Sequence, residues 1–181
     1  MIVRKIVLWL VQRVKPHLAT YSLPMTRDRD RYHLNSEGST AKMIAVMIDV
    51  FLVPKNTSIT AKGDSESLDV SGAENRVFLA TLCVSKIVEQ ESIEVSFFTS
   101  ADGTTWETKP LTSLPQKFYP GEYPLLVDLS QANGAKFLRA HWEVNRWGRG
   151  PVTPNFEISL RVREVPTDLL QEARDDAATR R

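Results

Sequence analysis

The sequence predicts an all-β fold, an antiparallel β-sandwich or jelly roll, over residues 47–165. Seven strand-like runs bounded by Gly, Pro, Asn, Asp or Ser predict it first: IDVFLV, SLDVSG, RVFLATLCVSKIV, SIEVSFFTS, PLLVDLS, KFLRAHWEVN and NFEISLRVREV. Second, apolar and polar residues alternate in the last two runs, which is typical of antiparallel sheets with one face in water. Third, no helical segment of useful length separates the runs, which excludes a βαβ architecture. Short strands with closely spaced turn signals favour a sandwich or jelly roll.

The first 46 residues have a different composition and predict a basic helix followed by a disordered linker. The helix-like segment MIVRKIVLWLVQRVKPHL contains the apolar run IVLWLV. This run is too short for a membrane span of roughly 20 residues or for the roughly 7–15-residue core of a signal peptide. Residues 20–42 are polar and aperiodic, which indicates a linker. Because the β pattern begins at Met47, one hypothesis is that the natural start is Met43 or Met47.

Charge and cysteine content narrow the partners and the compartment. Eight basic and three acidic residues give the first 46 positions a net charge of +5, which leaves −4 for the rest of a chain whose total is +1. That total argues against nucleic acid as a partner. The single cysteine, Cys83, excludes an intramolecular disulfide. It favours a reducing compartment such as the cytoplasm, or a secreted fold large enough to stand without disulfides.

The alternation in the last two strand-like runs assigns their side chains to two faces. The inward residues are expected to be Leu138, Ala140, Trp142, Val144, Phe156, Ile158, Leu160 and Val162. Charged side chains on the outward face are Arg139, His141, Glu143, Glu157, Arg161 and Arg163. These two strands are expected to pair, and cross-strand ion pairs on a wet sheet face then explain the mixture of signs. A polar protein interface is the alternative.

After Val165 the sequence PTDLLQEARDDAATRR predicts a short C-terminal helix. Thr167 or Asp168, directly after Pro166, is a suitable helix cap. A polar segment at the end of a chain is expected to be a frayed tail, here residues 166–181.

The sharpest local motif is SADGTTWE at residues 100–107. Asp-Gly between a strand and a tryptophan predicts a hairpin, because Gly103 supplies the positive φ that such turns need. A structural hairpin with Trp106 covering the end of the sandwich is sufficient to explain it. The motif also resembles the S-x-D-G-x-x-W hairpin of discoidin domains (coagulation factor V/VIII type C), within the galactose-binding-like β-sandwiches. The later stretch AKFLRAHWEVNRWGRGPVTPNFEISLRVREV, with its L-R-V-x-E strand, is similar to that family's ending.

This resemblance covers about residues 71–165 and implies a jelly roll that binds glycans or lipids through loops at one end. The chain departs from the family in lacking its bracketing pair of cysteines, which puts an extracellular role in doubt. No ligand-binding position of the family is carried over to this sequence.

Two loops carry candidate binding residues. In NRWGRGP, Trp147 is placed to stack on a sugar ring, with Arg146 and Arg149 as hydrogen-bond donors. The alternative is that Trp147 folds back over the end of the sandwich. In KFYPGEYPLL, Tyr119 and Tyr123 flank Pro120-Gly121 and form either a binding surface or a plug of the sandwich end.

We expect neither an enzyme nor a bound cofactor or metal ion. The three histidines, His17, His33 and His141, are scattered, and there is no nucleophile elbow, phosphate-binding loop or dinucleotide motif. The leading hypothesis is a noncatalytic domain that binds a carbohydrate or glycoconjugate through loops at one end. Its candidate site residues are Trp106, Tyr119, Tyr123, Arg146, Trp147 and Arg149. The alternative is a structural or assembly module that contacts copies of itself or a larger complex. Exposed aromatics at one end favour the first hypothesis, and an uncovered apolar sheet face or edge strand favours the second.

Overall fold

The computed structural model describes residues 47–148 and 153–179. The predicted N-terminal helix and linker, the hypothetical start at Met43 and the candidate residue Arg149 lie outside the described residues. Within them the chain forms nine strands and one helix: β1 (Asp49–Ile59), β2 (Gly63–Asp64), β3 (Leu68–Asp69), β4 (Val77–Lys86), β5 (Glu91–Ser100), β6 (Thr112–Lys117), β7 (Gly121–Asp128), β8 (Phe137–Arg146), β9 (Phe156–Glu164) and α1 (Thr167–Thr179).

The strands form two antiparallel sheets. Sheet 1 has the order β1-β9-β4-β7, and sheet 2 has the order β2-β8-β5-β6, with β3 also paired to β8. The prediction of an all-β, antiparallel sandwich is therefore confirmed. The expectation that the last two strands pair is wrong, since β8 lies in sheet 2 and β9 pairs with β1 and β4 in sheet 1. Alternation shows which face of each strand is buried, but it does not show which strand lies beside it.

The hydrophobic core lies between the two sheets. The inward residues predicted for β8 and β9 are buried or half-buried, and their outward neighbours are half-buried or exposed. Phe78, Phe97 and Phe156 are the largest completely buried side chains. Because burying a side chain of this size stabilises a fold by about 1.5–3 kcal/mol, these rings are major contributors to the stability of the sandwich.

Helix α1 packs against the outer face of sheet 1. Leu170 and Ala173 are buried, and Leu170 belongs to a small apolar cluster with Val77, Leu79 and Val165. The helix begins after Pro166, whose carbonyl accepts a hydrogen bond from the Leu170 N–H. The prediction of a short helix is confirmed, but the helix is docked on the sheet instead of frayed.

The edge strands of both sheets have features that oppose pairing with another chain. Edge strand β1 contains Pro54 and two register irregularities, and edge strands β6 and β7 contain Pro115 and Pro124. The remaining edge of sheet 2 is formed by β2 and β3, of two residues each. Proline has no N–H to donate to a neighbouring strand. Bulges and short strands also make an edge a poor template for pairing.

The strand ends divide the loops between two ends of the sandwich. Glu91, at the start of β5, pairs with Arg146 at the end of β8, and Ile93 pairs with Lys117 at the end of β6. The β1–β2, β4–β5, β6–β7 and β8–β9 connections therefore meet at one end, which we call the 147 end. The β3–β4, β5–β6 and β7–β8 connections lie at the opposite end.

Candidate functional site

Three exposed aromatic side chains lie at the 147 end. Tyr119 is 73% exposed, Trp147 48% and Phe118 43%. Phe118 and Tyr119 belong to the β6–β7 connection, and Trp147 directly follows β8. The Phe118 and Trp147 rings meet edge to face, with centroids 5.8 Å apart and planes at 76°. We call Phe118, Tyr119 and Trp147 the aromatic cluster.

The backbone beside Trp147 is held by the β4–β5 turn. The Trp147 N–H donates a hydrogen bond of 2.9 Å to the Gln90 carbonyl. Gln90 and Gly148 both have positive φ, 65° and 95°. A Cβ atom added at Gly148 would collide with the Gln90 side-chain amide. Glycine at position 148 thus permits both this backbone conformation and the close approach of Gln90.

Below the cluster lies a buried ion pair between Arg146 and Glu91. The Glu91 side chain is fully buried, and the Arg146 side chain is 11% exposed. The Glu91 carboxylate also accepts hydrogen bonds from the backbone N–H groups of Asn155, at 3.2 Å, and Val88, at 3.4 Å. These contacts tie the β4–β5 and β8–β9 connections to the end of β8. The guanidinium of Arg146, predicted from sequence to face a ligand, is instead paired with Glu91 and supports the loops from within.

Tyr123 supports the same end from the side of the core. Its hydroxyl donates a hydrogen bond of 2.7 Å to the Tyr119 carbonyl, and its ring packs against the core. The Lys117 Nζ atom lies 5.0 Å from the centre of the Tyr123 ring. Of the two tyrosines predicted as candidates, Tyr119 presents its side chain to solvent and Tyr123 plugs the end of the sandwich.

Trp106, the remaining candidate, lies at the opposite end. It forms an isolated bridge with Ser100, at the far end of β5 from Glu91. Because β5 has ten residues and a strand rises about 3.3 Å per residue, about 30 Å separates the two ends. The centre of the Trp106 ring lies 4.4 Å from the guanidinium carbon of Arg139. Trp106 therefore does not share a site with Tyr119 and Trp147.

The hairpin that carries Trp106 has the chemistry expected of Asp-Gly. Gly103 has a φ of 78°, as predicted. The Asp102 carboxylate accepts hydrogen bonds from the N–H groups of Thr105, at 2.7 Å, and Thr104, at 2.8 Å, and from the Ser100 hydroxyl. These bonds lower the pKa of Asp102 well below its usual value. The side chain is thus used within the turn.

The outer face of sheet 2 carries an imidazole between two carboxylates. His141 Nδ1 lies 3.0 Å from Asp64 Oδ1, and His141 Nε2 lies 3.1 Å from Glu143 Oε1. Arg139 lies 3.3 Å from Asp64. Burial alone lowers the pKa of His141, but the hydrogen bonds that its ring donates to Glu143 and Asp64 outweigh burial, and the pKa is raised.

The predicted charged face is therefore divided between the two sheets. On sheet 1, Arg161 of β9 makes a two-pronged ion pair with Asp49 of β1, at 2.5 and 2.6 Å. Ion pairs across strands are present, as expected for a wet sheet face, but each partner lies on a different strand from the one predicted.

A concave feature lies at the end opposite the aromatic cluster. It is an open cleft of about 340 Å³ between the β5–β6 and β7–β8 connections. Its lining includes Glu107, Lys109 and Asn133. All three of these side chains are exposed. The described residues contain no group of three or more His, Cys, Asp or Glu side chains arranged to hold a metal ion.

Two residues at the 147 end were not identified from the sequence. Phe118 lies beside Tyr119 in KFYPGEYPLL. Like Tyr119, it is an aromatic residue in a loop next to Pro120-Gly121, and it could have been identified in the same way. Gln90 has no such signal, because one glutamine in a polar turn has no distinguishing neighbours.

Comparisons with known proteins add little to this description. No family model matches the chain, and no curated protein matches it. A search of solved structures found a chain of the "Structure of infectious bursal disease virus Gx strain", with a TM-score of 0.46 and 11% identity. The alignment covers 78% of this chain and 40% of that one. A likeness at this level carries no argument about function. In the part of the chain that the structure describes, the helix is too short and too polar to cross a membrane.

Proposed function

We propose that this chain is a noncatalytic carbohydrate-binding jelly roll that holds a sugar against the aromatic cluster. The observation that carries the proposal is the position of Phe118, Tyr119 and Trp147. All three are exposed, and all three lie at the end of the sandwich where four loops meet.

The chemistry of the cluster suits a sugar. Tyrosine and tryptophan present a large, rigid apolar face together with one polar group. The C–H face of a pyranose covers such a ring while its hydroxyls remain in contact with water or polar protein groups. Exposed apolar patches on a monomer commonly mark interaction sites.

The strand pairing supports the jelly roll. The pairs β1 with β9, β2 and β3 with β8, β4 with β7, and β5 with β6 are nested like one long hairpin. Winding such a hairpin around the core puts its strand pairs alternately in sheet 1 and sheet 2, as expected for a jelly roll. Jelly rolls serve both lectins and assemblies, so the site must decide the function.

The resemblance to discoidin domains remains a separate proposal. Of the two stretches that carry it, the SADGTTWE hairpin lies at the end opposite the aromatic cluster, about 30 Å away by the length of β5. Sugar binding at the cluster rests instead on the exposed rings of Phe118, Tyr119 and Trp147.

The assembly alternative has less support. A strand of another chain would have to join an edge that contains a proline, a bulge or only two residues. Part of the outer face of sheet 1 is covered by α1. In the part of the chain that the structure describes, every edge strand is short or contains a proline, so the features that would favour self-assembly are weak there.

A glycan-array profile of the full chain tests the proposal. We expect binding to a defined set of glycans that falls at least tenfold in Trp147→Ala and in Phe118→Ala. Trp106→Ala is the matched control, since it removes a tryptophan at the opposite end and should leave binding unchanged. Thermal unfolding of each variant shows whether the fold is retained. No glycan binding by folded wild-type protein, or equal losses in Trp106→Ala and Trp147→Ala, contradicts the proposal.

A further inference from the structure

Gln90 adopts a backbone conformation that is unusual for a residue with a side chain. Its φ is 65°, in the left-handed region, where residues other than Gly, Asn and Asp are uncommon. Such conformations are held in place by their surroundings and often occur at functional sites. Here the hydrogen bond from Trp147 N–H to the Gln90 carbonyl holds the backbone next to the aromatic cluster.

The backbone at Gly148 leaves space for the Gln90 side chain. The amide lies against Gly148, and a Cβ atom at that position would collide with its oxygen. This contact places the amide beside the residue that directly follows Trp147. The Gln90 side chain is nevertheless exposed to solvent, and no hydrogen bond from it to another described residue is observed.

The Gln90 amide offers hydrogen-bond donors and acceptors beside the largely apolar rings of the aromatic cluster. A glutamine amide donates two hydrogen bonds through its nitrogen and accepts two at its oxygen. This combination suits two adjacent sugar hydroxyls, because one can donate to the amide oxygen while the other accepts from the amide nitrogen. The amide is uncharged, and the nearby guanidinium of Arg146 is already neutralised by Glu91. Neither of these two groups therefore presents an unpaired charge to a ligand.

We infer that Gln90 is a specificity-determining residue of the site. Its side-chain amide forms hydrogen bonds with two adjacent hydroxyls of a neutral pyranose whose apolar face rests on Trp147. The inference rests on the proposed carbohydrate-binding function. It adds to that function the class of sugar and the residue that distinguishes sugars by their hydroxyls.

A purely structural role for Gln90 makes a different prediction. The contact that ties the β4–β5 turn to Trp147 is made by the Gln90 carbonyl, which every substitution retains. If the side chain only supports the turn, its removal should weaken the binding of all sugars by the same factor. If it reads hydroxyls, its removal should abolish discrimination between sugars that differ at those hydroxyls.

The experiment compares wild type, Gln90→Gly and Trp147→Ala in the full chain by calorimetry or NMR titration. Probes are the methyl glycosides of glucose, galactose and mannose, each beside its singly deoxygenated derivatives. Glycine keeps the left-handed backbone without strain and removes the whole side chain, the amide included. Gln90→Asn is the second variant, because asparagine tolerates this conformation and retains a shorter amide.

We expect wild type to bind one parent sugar more tightly than the two derivatives that each lack one of two adjacent hydroxyls. The difference should be about three- to tenfold, which is the effect of losing one neutral hydrogen bond. In Gln90→Gly that ratio should fall to about one, while Trp147→Ala loses all binding. A ratio that persists in Gln90→Gly overturns the inference and leaves the proposed function intact. Failure of wild type to bind any of the three sugars overturns the inference, and silence of the glycan array as well overturns the proposed function.

Discussion

Replacing Arg146 with methionine should destabilise the fold far more than removing an arginine from a surface ion pair. Arg146→Met deletes the positive partner of Glu91, whose side chain has no exposed surface. The carboxylate keeps its hydrogen bonds from the Asn155 and Val88 N–H groups but loses its compensating charge. Breaking a buried pair in this way costs about 3–5 kcal/mol, a large part of the roughly 5–15 kcal/mol that stabilises a typical domain.

Arg161→Met is the matched control. Arg161 makes a two-pronged ion pair with Asp49, but these side chains are 38% and 42% exposed. Pairs in such a setting contribute about 0–1 kcal/mol. Urea unfolding followed by tryptophan fluorescence gives both free energies, and thermal unfolding should show a fall of about 2–4 °C per kcal/mol.

A double variant separates the charge effect from the loss of packing. Glu91→Gln combined with Arg146→Met removes the stranded carboxylate charge and should be more stable than Arg146→Met alone. The reasoning is refuted if Arg146→Met costs no more than Arg161→Met, or if the double variant is less stable than the single one.

Three other perturbations have expected outcomes of their own. The pKa of His141 is raised in the folded state, so its protonated ring stabilises the fold. This contribution should be complete below the unfolded pKa of about 6.5 and should disappear as pH rises through the folded pKa. Urea unfolding between pH 5.5 and 8.5 should show this loss of stability in wild type and not in His141→Gln. Leu170→Ala should cost about 2–5 kcal/mol by thermal unfolding if α1 is docked, and almost nothing if the helix is frayed. Gly148→Ala should lower both stability and sugar affinity, because it strains a φ of 95° and displaces the Gln90 amide; unchanged values in both assays would contradict the described geometry.

Much of the fold could be predicted because burial alternates along its strands. Phe156, Ile158 and Leu160 lie on one face of β9, and the structure buries all three. Short or interrupted strands escaped prediction: β2 has two residues, and β6 contains Pro115. Propensity is weak over two residues, and proline argues against a strand unless the strand is known to be at an edge.

The candidate site could be predicted in part. Tyr119 and Trp147 were identified because aromatic residues beside glycine and proline mark loops. Their convergence depends on which strands end at the same end of the sandwich, a long-range property that local patterns do not carry. The buried state of Arg146 depends on Glu91, 55 positions away, and so it could not be inferred from the loop sequence.

The distribution of exposed aromatic rings links the fold to the proposed function. Among the described residues, Phe51 is the exposed aromatic ring on a sheet face, and Lys55 and Arg161 lie 5.5 and 5.6 Å from its centre. Those cations shield the ring and make the face poorly suited to apolar contact. Phe118 and Trp147 instead contact each other and leave about half of each side chain in water. Among the described residues, the three most exposed aromatic side chains, Tyr119, Trp147 and Phe118, therefore lie at the 147 end, and this is why we propose that end as the binding surface.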